Sequence, residues 1–398
     1  MAALSFADAR QVVTGQLAAG RQLPPTERVP LACAPGRILA EAVLADRDYP
    51  PFHRATRDGY AVRAADTPGR LRLAGQVRAG QEFSGRLGPG EAIEIMTGAP
   101  APEGADAVAM IEHSRRNQEH VTLENSLRVG ENIVPRGSET RAGALVLEPG
   151  RRLEYPEIAA LASFGRDTVD VYRKPQAAIL STGDEVVEIL ETPQTFQIRN
   201  SNAQSLAAQV RRAGGEPVLL PIAPDERRRT RDLIEQGLRA DLLLLSGGVS
   251  MGKYDLVEEV LAELGARFYF DAVQIQPGRP LVFGQARGKF FFGLPGNPLS
   301  TMVTFEVFAR AAVELLGGAA EAPLRFSMAR LGADFRHKPG LTRFLPATLS
   351  GSEEPVVHPL PWQGSGDLVA LTRANVFLVA AAGREGWKAG DWVSVLPR

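Results

Sequence analysis

The chain is poor in the residues that build thiol-ligated or redox sites. Among its 398 residues there is one cysteine, Cys33, with five scattered histidines: His53, His113, His120, His337 and His358. A single thiol excludes an internal disulfide, and so few soft ligands argue against a Cys/His zinc or iron–sulfur site, so any metal would be hard and oxygen-bound. Long hydrophobic runs are also lacking. No stretch approaches the roughly 20 apolar residues of a membrane span, and the start, MAALSFADARQVV, has no basic segment leading into an apolar one. The expectation is a soluble, cytoplasmic protein with no membrane partner. One-sided charge is missing too: 45 Lys+Arg face 46 Asp+Glu, a formal charge of -1, which gives no whole-chain steering toward nucleic acid. Lysine itself is scarce, limited to Lys174, Lys253, Lys289, Lys338 and Lys388, and that bias alone carries no functional meaning.

What is abundant is turn chemistry. Forty glycines and 29 prolines suit many short strands and exclude a coiled coil or long helical repeats. The length exceeds one ordinary core, so about two to four domains are expected. Ser5 with Asp8 three residues on resembles a capping box for a helix over residues 6–19, ended by Gly20. Proline-punctuated residues to about 50 read as a connector. Short β-type runs between Gly and Pro turns then make residues 51–148 a small β domain. Residues 1–50 and 149–173 are expected to form one discontinuous, elongated region with that β domain inserted. Strand and helix alternate over 174–318, the pattern of a doubly wound α/β domain, with strands at 177–180, 217–220, 241–245 and 281–283. Helices are expected near 202–213, 226–238, 255–264 and 298–316. Residues 319–398 return to β-type runs, a terminal β-barrel or sandwich.

Four glycine-bearing turns of the α/β region fall at strand ends, where ligands of such folds sit and free N–H groups receive anions. They are Ser181-Thr182-Gly183, Ser246-Gly247-Gly248 with Ser250, Pro277-Gly278-Arg279, and Pro295-Gly296-Asn297 with Ser300. Any one alone is an ordinary tight turn; four in one domain point to a phosphate-bearing or nucleotide-bearing ligand. Asp184 and Glu185 follow the first turn. Carboxylates beside a phosphate cradle call for a bridging cation, and Mg²⁺ with several waters is the usual one. Asp225 and Asp255 have the plainer reading of helix N-caps. Asp58 in RDGYA, Thr97 in MTGAP and Ser365 in WQGSGD are structural by default. No nucleophilic triad can be assembled, and Ser181 lacks a G-x-S-x-G elbow.

The series RDGYA, MTGAP, PRGSE, STGDE, SGGVSMGKYD, QPGRP, GLPGNP and WQGSGD, in this order, resembles the molybdopterin molybdenumtransferases, the family of bacterial MoeA and the gephyrin E domain. The resemblance covers nearly the whole chain. It implies a four-domain elongated homodimer, with a molybdopterin-binding α/β domain and a C-terminal β-barrel. Such a dimer takes adenylylated molybdopterin and molybdate, uses Mg²⁺, releases AMP and leaves molybdenum on the dithiolene. Asp184, Glu185, Asp225 and Asp255 match the family's acidic cleft, the first three being the metal-ligand candidates. Ser246, Gly247, Gly248 and Ser250 match its pterin-phosphate cradle. Asp58 and Thr97 match residues contributed by the second subunit, and Ser365 matches a cleft position of the last domain. Glu139 stands where the family often has Asp. The candidate partners implied are molybdopterin adenylyltransferase and molybdenum-enzyme acceptors. The chain departs from the family at Ala272 and Gln276, where basic residues are usual, and at His53, Arg57 and Pro346. The lost cations predict weak molybdate capture, which Arg54, Arg57 or Arg343 could offset. The alternative expectation is a catalytically weakened paralogue serving as a molybdopterin carrier or scaffold.

Overall fold

Ser5 accepts the Asp8 N–H at 3.1 Å and donates its hydroxyl to the Asp8 carboxylate at 2.6 Å, which opens helix Phe6–Gly20. In the computed structural model, which describes residues 2–248 and 256–398, this helix buries Ala9, Val13 and Leu17. Their spacing of four lines one helical face. That face joins a core containing Leu206, Phe305 and Phe308 of the α/β domain and Phe344 and Phe377 of the C-terminal domain.

The chain next folds against its own later segment. Strand Thr26–Pro30 pairs antiparallel with Thr168–Tyr172, and Val43–Leu44 with Leu145–Leu147. Leu39, Val43, Leu153, Leu161, Val169 and Val171 form their shared core. Between these pairings lies a six-stranded β sheet in the order Ala107–Met110, Gly59–Val62, Glu91–Ile95, Gly69–Val77, His120–Leu123, Ser114–Asn117.

The sheet that positions the site runs Glu216–Leu219, Gln176–Ser181, Leu242–Ser246, Lys289–Leu294, Pro280–Ala286, Arg267–Ala272. The first four strands are parallel, and the last two add antiparallel. Strand Leu242–Ser246, LLLLS, is buried throughout, as a strand covered on both faces requires. Separate apolar clusters lie on the two faces: one holds helix Ser201–Arg212, the other Arg227–Gly237 and Leu256–Glu263. Along the chain the first of these strands, Gln176–Ser181, lies in the sheet between the second and the third, so the chain reverses direction across the sheet between Gln176–Ser181 and Leu242–Ser246.

Three elements of the α/β domain differ from the sequence expectation, the edge strand Arg267–Ala272 being one that was not expected. Lys289–Leu294 was not among the expected strands but is a central one, delivered by a hairpin at Arg287 (φ 50°) and Gly288 (φ 77°). The helix expected over 298–316 is split into Pro298–Thr304, a π-helical turn Phe305–Ala309 and Arg310–Leu316. Thr304 Oγ1 donates back to Ser300 O at 2.8 Å and lies 3.1 Å from Thr301 O, side-chain competition of the kind that loosens a helical ladder. The C-terminal strands close on themselves, Thr342–Ser350 pairing with both Val356–Pro359 and Val376–Ala380, to give a barrel. Among the described residues no helix is long and apolar enough to cross a membrane.

Candidate active site

The first turn leaves the end of strand Gln176–Ser181. Ser181 is buried and donates to Asn200 Oδ1 at 2.9 Å, while the Thr182 N–H donates to Ser246 O at 3.1 Å, bridging the point of reversal. Gly183 has φ 123°, and a Cβ there would lie 2.4 Å from Glu185 Oε2, so glycine lets the Glu185 carboxylate fold back over the turn. Asp184 and Glu185 are exposed. Asp184 Oδ1 accepts the Asp225 N–H at 3.0 Å, which ties the first turn to the next loop.

The second turn begins at buried Ser246. Gly247 (φ 88°) and Gly248 (φ 61°) pass so close to Thr182 that a Cβ on Gly248 would stand 2.7 Å from Thr182 Oγ1. Thr182 Oγ1 is buried under this turn with no hydrogen-bond partner among the described residues. The third and fourth turns meet at one helix. A Cβ on Gly278 would lie 2.4 Å from Thr304 Cγ2, Ser300 is buried in that helix, and the Leu299 N–H at its start donates to Ser365 O at 3.0 Å. Asp367 steadies the Ser365 loop by accepting the Gln363 and Ala370 N–H groups, each at 3.0 Å, and both lower its pKa. Arg279 is exposed, as are Gly296 and Asn297, while Pro277 and Pro295 are buried.

The structure therefore gathers Ser181, Thr182, Gly183, Asp184 and Asp225 with the Ser246–Gly248, Pro277–Gly278 and Pro295–Ser300 turns and Ser365. It does not bring Asp58 or Thr97 to them by any hydrogen bond among the described residues. Asp58 Oδ1 accepts the Thr97 N–H at 2.6 Å and its hydroxyl at 2.7 Å within the β domain, and these bonds, the backbone one first, hold the Asp58 pKa below the usual range. Asp225 is not the helix cap expected of it. The cap position is Glu226, which makes no side-chain capping bond, and the Asp225 backbone serves Asp184 instead. Ser250 and Asp255 lie outside the described residues.

Asn200 and Asn202 were not singled out by the sequence. Asn200 caps helix Ser201–Arg212 by accepting the Ala203 N–H at 3.1 Å while receiving the Ser181 hydroxyl. Asn202 Nδ2 donates to Ser246 Oγ at 2.9 Å and to Gly296 O at 2.7 Å, joining two of the turns. Two asparagines at a helix start carry the signal of a cap; nothing in their spacing announces the second task.

Of the cations considered as compensating charge, Arg54 pairs with Glu139 at 3.3 Å and Arg57 is exposed. Arg343 stands in register with Gln276 on adjacent parallel strands, and its Nε is buried without a partner among the described residues. Among the described residues no three His, Cys, Asp or Glu side chains gather as a ready-made metal cage. Exposed Asp184 and Glu185 beside an N–H-rich turn fit the other kind of site, in which Mg²⁺ keeps waters and takes one or two carboxylates with substrate phosphates.

Three family regions match in order: the MoeA N-terminal region (domain I and II) over residues 4–165, the probable molybdopterin binding domain over 178–314, and the MoeA C-terminal region (domain IV) over 328–397. A molybdopterin molybdenumtransferase of Staphylococcus epidermidis is 33% identical over 371 residues, 91% of this chain and 88% of that protein. The Bacillus subtilis molybdopterin molybdenumtransferase is 34% identical over 387 residues, 93% of this chain and 89% of its own. Among solved structures, a molybdopterin biosynthesis MoeA protein from Pyrococcus horikoshii OT3 aligns over 100% of both chains with a TM-score of 0.79 and 28% identity. A second MoeA structure, from Pyrococcus horikosii, aligns over 99% of both at 0.71 and 32%. Matched in sequence and in fold from the first helix to the closing barrel, the chain belongs to the MoeA-type molybdopterin molybdenumtransferases, a family of transferases.

Proposed function

We propose that this chain transfers molybdenum to molybdopterin, taking adenylylated molybdopterin and molybdate and releasing AMP. The observation that carries the reading is the buried, unpartnered Thr182 hydroxyl beneath the Gly247–Gly248 turn, at the point where the parallel strands diverge, with exposed Asp184 and Glu185 alongside. A phosphate there meets a hydroxyl donor and a backbone with no Cβ in its way. Mg²⁺ bound by Asp184 and Glu185, with Asp225, would neutralise charge on the phosphoryl oxygens as the phosphoanhydride breaks. The chain's own part is positioning. The Asp225 N–H aims the Asp184 carboxylate, Asn200 holds Ser181, and the serines of the later turns offer hydroxyl donors to an oxyanion. Water adds to phosphorus and AMP leaves; the dithiol gives up its protons to one molybdate oxygen, which departs as water.

Asp58 and Thr97 complete the site, in this reading, from a second copy of the chain. The segment after Glu185 supports that: Leu190 and Phe196 are 93% and 91% exposed, an apolar flap suited to cover by a partner. The transferase names of the relatives support an enzyme over a carrier or scaffold.

The test is incubation with adenylylated molybdopterin, Mg²⁺ and molybdate, following AMP and molybdenum incorporation separately. Both products are expected. Asp184→Ala and Glu185→Ala should each lower AMP release about a hundredfold in folded protein. Near-normal rates in both variants would show the site misassigned, and no AMP from the unaltered chain would leave only the carrier.

A further inference from the structure

Asn202 occupies the second position of helix Ser201–Arg212 and spends its amide nitrogen twice, on Ser246 Oγ and on Gly296 O. A carbonyl oxygen only accepts, so the Gly296 contact fixes which end of the carboxamide is nitrogen. Oδ1 is then left buried with no partner among the described residues. Thr182 Oγ1 is in the same condition, and both residues are tied to Ser246, one through its hydroxyl and one through its carbonyl. Two orphaned polar atoms are costly in a folded chain. They occur together here, at the switch point of a parallel sheet, where ligands of this architecture bind.

The two atoms differ in what they can receive. A hydroxyl can donate to a phosphate oxygen; an amide oxygen cannot, and beside a phosphate it would repel. We infer that Asn202 Oδ1 is a specificity contact that accepts an N–H from the heterocycle of the bound substrate, while Thr182 and the glycine turns face its phosphates. The inference rests on the molybdopterin-transferase reading. An amino-substituted nitrogen heterocycle is the ligand chemistry, and adenylylated molybdopterin carries two, the pterin and the adenine. The Nδ2 bonds make the contact depend on turn geometry, because the group that accepts from substrate also joins the Ser246 and Gly296 turns.

The test uses the full chain and two pairs of probes whose members differ by an amino group exchanged for a ring carbonyl. AMP is compared with inosine monophosphate, and pterin-6-carboxylate with lumazine-6-carboxylate, by calorimetric titration. The unaltered chain should bind the amino member of one pair about tenfold more tightly, the worth of one hydrogen bond to a desolvated acceptor. Asn202→Ala should bind both members alike, and the pair that responds identifies the heterocycle. Asn202→Ser, too short to reach, should behave the same and guards against misfolding of one variant. A role limited to holding the turns would weaken both members equally and leave the ratio intact. That result, or binding without any preference in the unaltered chain, overturns the inference while leaving the transferase reading standing. Failure of the unaltered chain to bind any of the four probes would remove both.

Discussion

Two hydrogen bonds to one oxygen set the charge of Asp58. The Thr97 N–H contributes most and its hydroxyl next, and the folded-state pKa is lowered. A lowered carboxyl pKa contributes stability that is present above the unfolded value and lost as the pH falls through the folded one. The contribution is therefore fully present at neutral pH and is lost only as the pH falls below the ordinary aspartate value of about 3.9. Thr97→Val removes the hydroxyl but keeps the backbone donor, so a carboxyl-carbon NMR titration should find Asp58 moved part of the way up; an unchanged midpoint would show that the hydroxyl does not count. At Gln276 the expectation is a gain. Gln276→Lys adds a cation in register with Arg343. It should lower the molybdate concentration for half-maximal insertion several-fold at low salt, with the advantage fading as ions screen it. No change at low salt would mean that Arg343, with its partnerless Nε, already fills the role.

At the scale of elements, the turns are held by the absence of side chains. Gly278 combines φ 101° with a virtual Cβ 2.4 Å from Thr304 Cγ2, whereas Gly340 has φ 104° and nothing within 4 Å. Both alanine variants meet backbone strain, but only Gly278→Ala must also displace a buried helix, so it should cost roughly 2 kcal/mol more in denaturant unfolding. Equal losses would mean that the helix yields freely. Local chemistry made part of this legible in advance. The Ser5 box, the all-apolar LLLLS strand and the glycine turns declare themselves within a few residues. Lys289–Leu294 did not, because a short apolar run broken by Gly293 cannot be told from a buried helix segment or a turn by periodicity alone. The π turn depends on competition by the Thr304 hydroxyl within a folded helix. Asn202 acts between turns 44 and 94 residues away, a relation that no local pattern encodes. Only the plain cap reading of Asp225 failed, and for a related reason: the cap falls on Glu226, while the loop holding Asp225 is tied to Asp184, 41 residues earlier.

For the molecule as a whole, a site shared between two copies makes a quantitative prediction. Asp58→Ala and Asp184→Ala subunits, mixed equally and exchanged freely, give half mixed dimers, each with one site holding both acids and one lacking both. About a quarter of the original sites should return. If Asp58 serves its own chain every site lacks one acid, and mixing restores nothing once exchange is verified. The threading of the chain has a consequence of another kind. Helix Phe6–Gly20 is made well before the segments it rests on: its buried face shares a core with Phe292, Phe305 and Phe308, and Phe6 packs on Phe344. Segments Thr26–Pro30 and Val43–Leu44 likewise wait for Thr168–Tyr172 and Leu145–Leu147. The inserted β sheet, whose strands all lie between residues 59 and 123, can close while those ends are still open. Folding during synthesis thus runs from the middle outward, and helix Phe6–Gly20 is buried later than the inserted sheet. A ribosome that stalls before residue 280 leaves Ala9, Val13 and Leu17 facing water, with the floor on which they rest not yet made.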